Sequence, residues 1–282
     1  MSDGKRSPAE DSAALARQCA KMLRRAFGIR SVRTAMVLGT GWGDALTLKH
    51  EQSVAIAELP GFEGLADLPG HARRVVYGTL RDKPVIALRG RVHMNEWFST
   101  PRAPHMVRLQ IEMLVALGVR DLVLTAAVGS LDDRIAVGDI VLPNGLMTLL
   151  APPLPLHTGE FCSPDDELNR GLRDVAREAA KAAKLVVRAG AHAMVCGPFF
   201  ESRSIDKRIL AERFVASVVG MSILPEIAVF GAVSRVKERR ALAVTFVTNT
   251  ASEEHSHETN QARARESAGK LGKLLSGIIK DL

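Results

Sequence analysis

Two segments just past the middle of the chain hold the side chains best suited to chemistry. Val195-Cys196-Gly197-Pro198-Phe199-Phe200-Glu201 ends an apolar, strand-like run with a glycine, a proline, two phenylalanines and one carboxylate. That set can stack a flat heteroaromatic ring and read its polar edge. Val219-Gly220-Met221-Ser222-Ile223-Leu224-Pro225-Glu226 breaks a second apolar run and restarts at Pro-Glu. Pro-Glu is a helix-opening signal that leaves backbone N–H groups free to face an anion. A flat base beside an anion points to nucleoside chemistry.

Four further constellations bear on that reading. Gly39-Thr40-Gly41-Trp42-Gly43 follows a strand-like run and is neither a dinucleotide fingerprint nor a Walker loop, because no Gly-Lys-Ser/Thr follows. It can still offer N–H groups and the Thr40 hydroxyl to one phosphate, although a plain turn has the same composition. Pro69-Gly70-His71-Ala72-Arg73 and Gly90-Arg91-Val92-His93-Met94-Asn95-Glu96 each set a histidine near a glycine turn. Arg91 adds a planar fork suited to phosphate. Thr125-Ala126-Ala127-Val128-Gly129-Ser130-Leu131 leaves a buried strand through small residues that would admit a ligand, or a close-packed helix. Val247-Thr248-Asn249-Thr250 ends the last strand with an amide able to donate and accept, or with an ordinary turn residue.

Strand and helix patterns alternate along the chain that must position these groups. Residues 1–10 read as a disordered N-terminus, and 11–282 as one domain. Helical spacing covers 13–27, 104–117, 164–184 and 263–279. Short apolar runs at 34–38, 75–80, 85–88, 121–125, 139–143, 186–195, 215–219 and 242–247 read as strands. The expectation is an α/β fold: a single domain with a central mixed, largely buried β-sheet flanked by helices.

Composition narrows the class. With 46% hydrophobic and 24% charged residues among 282, the chain has ample core. No apolar run is long enough to span a bilayer, and the polar N-terminus lacks the apolar stretch of a signal peptide, so the expected compartment is the cytoplasm. The three cysteines make no disulfide framework and no metal spacing, and His255-Ser256-His257 reads as a surface loop rather than a ligand pair. The net charge of +7 is spread out, and one Tyr and two Trp give little to interleave with it. Solvated faces, with attraction for small phosphate-bearing ligands, explain the charge better than nucleic-acid binding does.

Taken in order from about Thr34 to the end, these segments resemble the trimeric purine nucleoside phosphorylases, of the nucleoside phosphorylase family that also includes methylthioadenosine phosphorylase. The resemblance is carried by the glycine turn at Thr40, the segments around His71 and Arg91, Val137-Gly138-Asp139-Ile140, the two segments described first, and Thr248-Asn249. It implies that inorganic phosphate, a co-substrate in an enzyme with no cofactor or metal, is bound by Thr40, His71, Arg91, the Ala127 backbone and Ser222. It implies that Phe200 stacks on the base, that Glu201 bonds its N1/N2 edge and that Asn249 reaches N7 and O6. Ribose would meet His93, Met221, His257 (or His255) and Phe161 from a neighbouring subunit of a homotrimer. Asn249, His93 and Glu96 would be the catalytic set, with Asn249 activating the leaving base.

The implied reaction is phosphate-dependent cleavage of inosine, guanosine or their deoxy forms to free base and (deoxy)ribose 1-phosphate. Asn249 and Glu201 suit a 6-oxopurine, whereas methylthioadenosine phosphorylases have Asp in place of the former and no Glu matching the latter. Ala126, Asn95 and His192 depart from the family pattern, which has Asn, Tyr and Tyr there. These departures keep open a phosphorylase for a 5′-modified or 6-amino nucleoside, and a nucleoside-binding protein without turnover.

Overall fold

A computed structural model of the chain describes residues 7–68, 71–197, 200–202, 204–233 and 238–282. Pro69-Gly70 and Pro198-Phe199 of the motifs, residues 1–6 and part of the basic stretch at 235–240 lie outside the described residues.

The most apolar short run becomes the centre of the sheet. β1 (Thr34–Leu38) is buried at all five positions and lies between β4 (Lys83–Arg89) and β5 (Asp121–Ser130), parallel to both. β3 (Arg74–Leu80) pairs antiparallel with β4, and β2 (Lys49–Ala55) forms the outer edge. β2 begins Lys-His-Glu-Gln and is exposed over its first five residues, so it has neither alternation nor an apolar run to announce it in the sequence. A charged edge strand resists pairing with other chains.

Beyond β5 the sheet closes on itself. β5 pairs with β8 (Ala216–Gly220), β8 with β7 (Val187–Met194), β7 with β6 (Ile140–Met147), β6 with β9 (Arg240–Asn249), and β9 again with β5. Closure leaves these five strands without a free edge, and β5 and β9 are buried almost throughout. β1, β4, β5 and β9 run parallel, so their carboxyl ends emerge together, where ligands bind in open α/β sheets. β8 runs against β5 but meets only Gly129 and Ser130, which brings its own carboxyl end, Gly220, to the same place.

Helices cover both faces. α1 (Pro8–Phe27), α2 (Ala103–Ala116) and α5 (Leu224–Ala232) bury one apolar cluster, and α3 (Arg170–Ala182), α6 (His257–Glu266) and α7 (Ala268–Lys280) bury another. A short α4 (Asp206–Glu212), which the sequence pattern did not signal, precedes β8.

The fold corrects several boundaries. Pro8–Glu10 belong to α1 rather than to a disordered leader: Ser7 and Glu10 form a reciprocal capping box, and Pro8 suits the first turn. The expected helix over 164–184 splits, because Leu168 bridges to Ala241 and Asn169 restarts the helix by accepting from the Leu172 N–H. β5 continues through the small residues to Ser130, and the closing helix divides at Ser267.

The glycine turn after β1 makes its own test. Gly41 sits at φ +76°, and a Cβ there would lie 2.1 Å from the Ala264 Cβ of α6. Gly43 has open space. Gly41→Ala is expected to cost at least about 2 kcal/mol and lower Tm by about 5 °C, while Gly43→Ala stays within about 0.5 kcal/mol. Thermal unfolding of the two variants side by side checks this.

Candidate active site

A cleft of about 540 Å³ opens over the converging strand ends. Its wall includes Thr40, His71, His93, Glu96, Ala127, Phe200, Glu201, Met221, Ser222, Asn249, His255 and His257. Twelve side chains from eight separated segments therefore meet around one ligand-sized space.

The two histidines beside Thr40 are fixed in opposite tautomers. The Arg91 backbone N–H donates to His71 Nδ1 at 3.3 Å, so Nε2 carries the His71 proton and lies 3.4 Å from the Thr40 hydroxyl. Burial, His93, Arg91 and other nearby cations push the His71 pKa down to about 2, so the ring acts as a neutral donor. His93 stands edge-on to it, with ring centroids 4.9 Å apart. Glu96 Oε1 accepts from the His93 backbone N–H at 2.8 Å and from ring Nδ1 at 3.0 Å, leaving His93 Nε2 as an acceptor. Burial alone would raise the Glu96 carboxyl, but the hydrogen bonds from His93 and the Arg73 guanidinium hold it below its ordinary value.

The opposite wall is built by backbone crowding. Asn249, at the end of β9, is buried and packs so closely on Gly129 that a Cβ there would lie 2.8 Å from Asn249 Nδ2. The Thr248 hydroxyl lies 3.3 Å from both Asn249 Oδ1 and the Val128 carbonyl, and Asn249 lines the cavity with an amide that can donate and accept. Met221 Sδ accepts from Asn95 Nδ2 at 3.5 Å and fills the space over Gly197, which sits at φ +58°. Phe200 is 45% exposed and meets His255 edge-on at 4.5 Å. Burial raises the Glu201 pKa, its own backbone N–H and Lys207 oppose the shift, and Asp206 adds to it. A desolvated carboxyl of this kind gains most from a ligand that brings N–H donors.

Comparisons with known proteins identify the family. The family described as Phosphorylase superfamily covers residues 33–280. The purine nucleoside phosphorylase of Mycobacterium tuberculosis is 31% identical over 278 residues, covering 96% of this chain and 98% of that one. The chain belongs to the purine nucleoside phosphorylases of the phosphorylase superfamily. The Bos taurus purine nucleoside phosphorylase is 28% identical over 268 residues, covering 89% of each chain. The Schistosoma mansoni purine nucleoside phosphorylase solved in complex with inosine superposes with a TM-score of 0.81 at 23% identity, over 95% of this chain and 96% of that one, a likeness of fold. As a member of this family the chain is a pentosyltransferase.

Two residues expected at a phosphorylase site lie elsewhere. Arg91 is fully buried beneath the cavity and does not line it. Its guanidinium donates to Glu226 at 2.7 Å, to the Val37 carbonyl at 3.2 Å and to the Thr125 carbonyl. The fork that the sequence assigns to phosphate is spent on protein groups. Phe161 is 91% exposed and does not reach this chain's own cavity. Both His255 and His257 line it, bonded to Asn260 and Gln261 respectively. Among the described residues, no cluster of three or more His, Cys, Asp or Glu could hold a metal, and no helix is long and apolar enough to cross a membrane.

Sequence reasoning missed Arg73, Thr248 and the partnership of Glu226. Glu226 had a signal, since a carboxylate near a buried arginine is its natural partner, but nothing local tells which carboxylate arrives. His192 departs from the family pattern and is fully buried, with neither ring nitrogen in hydrogen-bond geometry. Its Cε1 lies 3.2 Å from where a Gly220 Cβ would stand. Burial lowers its pKa to about 4, the Ser222 backbone acting the other way and Arg91 adding to the fall.

These depressed histidines set an acid limit on stability. Folded His71 and His192 stay neutral, while the unfolded chain takes up protons below the ordinary value of 6.5. The unfolded state then binds more protons, so their contribution is complete above pH 6.5 and is lost as pH falls towards about 4 for His192 and about 2 for His71. Each adds a slope of up to about 1.4 kcal/mol per pH unit. Urea unfolding between pH 4.5 and 6 (roughly the middle of that window) is expected to lose one group's slope in His192→Gln; an unchanged slope would contradict the assignment.

Proposed function

We propose that the chain catalyses phosphate-dependent cleavage of 6-oxopurine ribonucleosides and deoxyribonucleosides, inosine and guanosine foremost, releasing free base and (deoxy)ribose 1-phosphate. The observation that carries the 6-oxo preference is Asn249 itself, a buried amide rather than a carboxylate on the cavity wall, with an NH₂ to donate to the ligand. An amide donor suits O6 and N7 of a 6-oxopurine, and the desolvated Glu201 suits the N1–H and 2-amino donors of the same edge.

In this reading phosphate is the nucleophile, and no cofactor or metal takes part. Thr40, the His71 Nε2–H, Ser222 and the Ala127 backbone hold it against the anomeric carbon. Holding the two reactants together replaces a bimolecular encounter with an intramolecular one. As the glycosidic bond breaks, the sugar gains oxocarbenium character and negative charge moves onto the purine. Asn249 donates to that charge and Glu201 keeps the base in register. Phe200 stacks on the base; Met221, His93 and one of His255 or His257 contact the ribose. His93, held by Glu96, keeps Nε2 as an acceptor for a sugar or phosphate hydroxyl. Arg91 acts from outside the cavity, tying β1 and β5 to α5 and so placing Ser222.

Completion of the sugar pocket falls to Phe161 of a neighbouring copy in a homotrimer, in a cytoplasmic enzyme. Supporting this, the exposed Phe161 follows Glu160, which Arg108 of α2 holds through both carboxylate oxygens at 2.6 and 2.8 Å. An aromatic side chain presented to solvent on a pinned loop fits an intersubunit role.

Release of free base from inosine, guanosine, adenosine and methylthioadenosine, with and without phosphate, tests the reading. Cleavage of the 6-oxopurines that requires phosphate is expected, and cleavage confined to the 6-amino substrates would refute the Asn249 argument. Glu201→Ala is expected to lower kcat/KM for guanosine by at least about 10²-fold, and Asn249→Asp to shift preference towards adenosine by a similar factor.

A further inference from the structure

Arg73 joins the two histidine-bearing segments of the cavity. It lies two residues after His71 and is 6% exposed, and its guanidinium donates to the Ala66 carbonyl on its own loop and to Glu96 Oε2 across the site. Glu96 uses its other oxygen to fix His93. One guanidinium thus ties the loop ending in His71 to the turn Met94–Glu96 that orients His93.

Arg73 is one of seven non-glycine residues at positive φ among the described residues, and with Ile223 one of the two that are buried. Its φ of +48° is in the left-handed region, which favours glycine. The turn needs that conformation to send the chain from His71 into β3, whose neighbour Ile56 donates its N–H to the Arg73 carbonyl. A glycine would meet the need without strain, yet the position carries a long cationic side chain buried towards the cavity. Strain retained at a site, where an unstrained residue exists, is a pointer to use of the side chain.

We propose that Arg73 is a positioning residue of the phosphorolysis reaction, holding Glu96 so that His93 presents its Nε2 acceptor beside the His71 Nε2–H donor. This rests on the function proposed above. Arg73 does not line the cavity and acts through Glu96. With one Glu96 oxygen neutralised by Arg73, the other accepts from His93 without drawing the carboxylate away. Without Arg73, Glu96 would be free to turn, and His93 would lose its single tautomer and its 4.9 Å edge-on placement against His71. Phosphate, which His71 holds and whose hydroxyl His93 accepts from, would suffer more than the base, whose partners Glu201 and Asn249 lie on other segments.

The test compares Arg73→Gly, which removes the strain with the side chain, and Arg73→Lys, which keeps the charge. For each, kcat and the KM values for phosphate and inosine are measured beside Tm. ¹⁵N-histidine NMR at neutral to alkaline pH reads the His93 tautomer. Arg73→Gly is expected to raise the phosphate KM at least tenfold more than the inosine KM, with Arg73→Lys recovering part of the loss. His93 is expected as the Nδ1–H tautomer in the wild type and as an averaged mixture in Arg73→Gly. A phosphate KM within twofold of wild type with an unchanged His93 tautomer would overturn the proposal. So would equal rises in both KM values that track a fall in Tm, the mark of a purely structural role. Should Arg73→Gly fail to fold, Arg73→Lys and Arg73→Met are judged by the same criteria. If the wild type cleaves no purine nucleoside, the functional reading fails, while the His93 spectra still decide whether Arg73 positions the ring.

Discussion

Beneath the cavity a fully buried Arg91 guanidinium reaches three separate parts of the chain. It meets the Val37 carbonyl near the end of β1, the Thr125 carbonyl within β5 and the Glu226 carboxylate in the first turn of α5. A charge buried to this degree is tolerable only when paired and hydrogen-bonded, and removing its partner typically costs about 3–5 kcal/mol. The pair therefore fixes how α5 sits against the parallel strands. That placement decides where Ser222 and Met221 stand, because they link β8 to α5 through Ile223, held at φ +82°. The groups that surround the ligand space depend on an ion pair outside it.

The cavity's polarity divides into donors and acceptors settled in advance. His71 is a donor because its other nitrogen receives the Arg91 N–H, His93 is an acceptor because its other nitrogen serves Glu96, and Asn249 is held between Gly129 and the Thr248 hydroxyl. Each orientation is set by a neighbour that does not itself need to touch a ligand. A site arranged this way does little reorganising as charge moves, which is where electrostatic catalysis gains most. Glycines make the arrangement possible at close range: Gly129 under Asn249 and Gly197 under Met221 leave room that any side chain would fill.

Much of the site was legible from residue types. Thr40, His71, His93, Glu96, Phe200, Glu201, Met221, Ser222 and Asn249 all line one cavity, although residue types alone left Thr40 and Asn249 readable as ordinary turn residues and only the order of the motifs singled them out. Arg91 was legible as important but not as buried, because a fork suited to phosphate is equally suited to a carboxylate and two carbonyls. The strands β1 and β4 were legible because an interior parallel strand needs a continuous apolar run. β2 was not, because an edge strand has no such need, and the break at Asn169 was hidden by helical spacing on both sides of it.

By itself the sequence determined the alternation of strands and helices, the buried centre of the sheet, and a set of side chains able to hold a base and an anion. Those follow from local periodicity and from chemistry that each residue carries wherever it lies. The tertiary structure alone decided that β5, β6, β7, β8 and β9 close into a ring, that Arg91 pairs with Glu226, and that Arg73 reaches Glu96. These partners are separated by 135 and 23 residues. Which distant carboxylate meets which arginine is set by strand order and register, and no pattern within one segment records either.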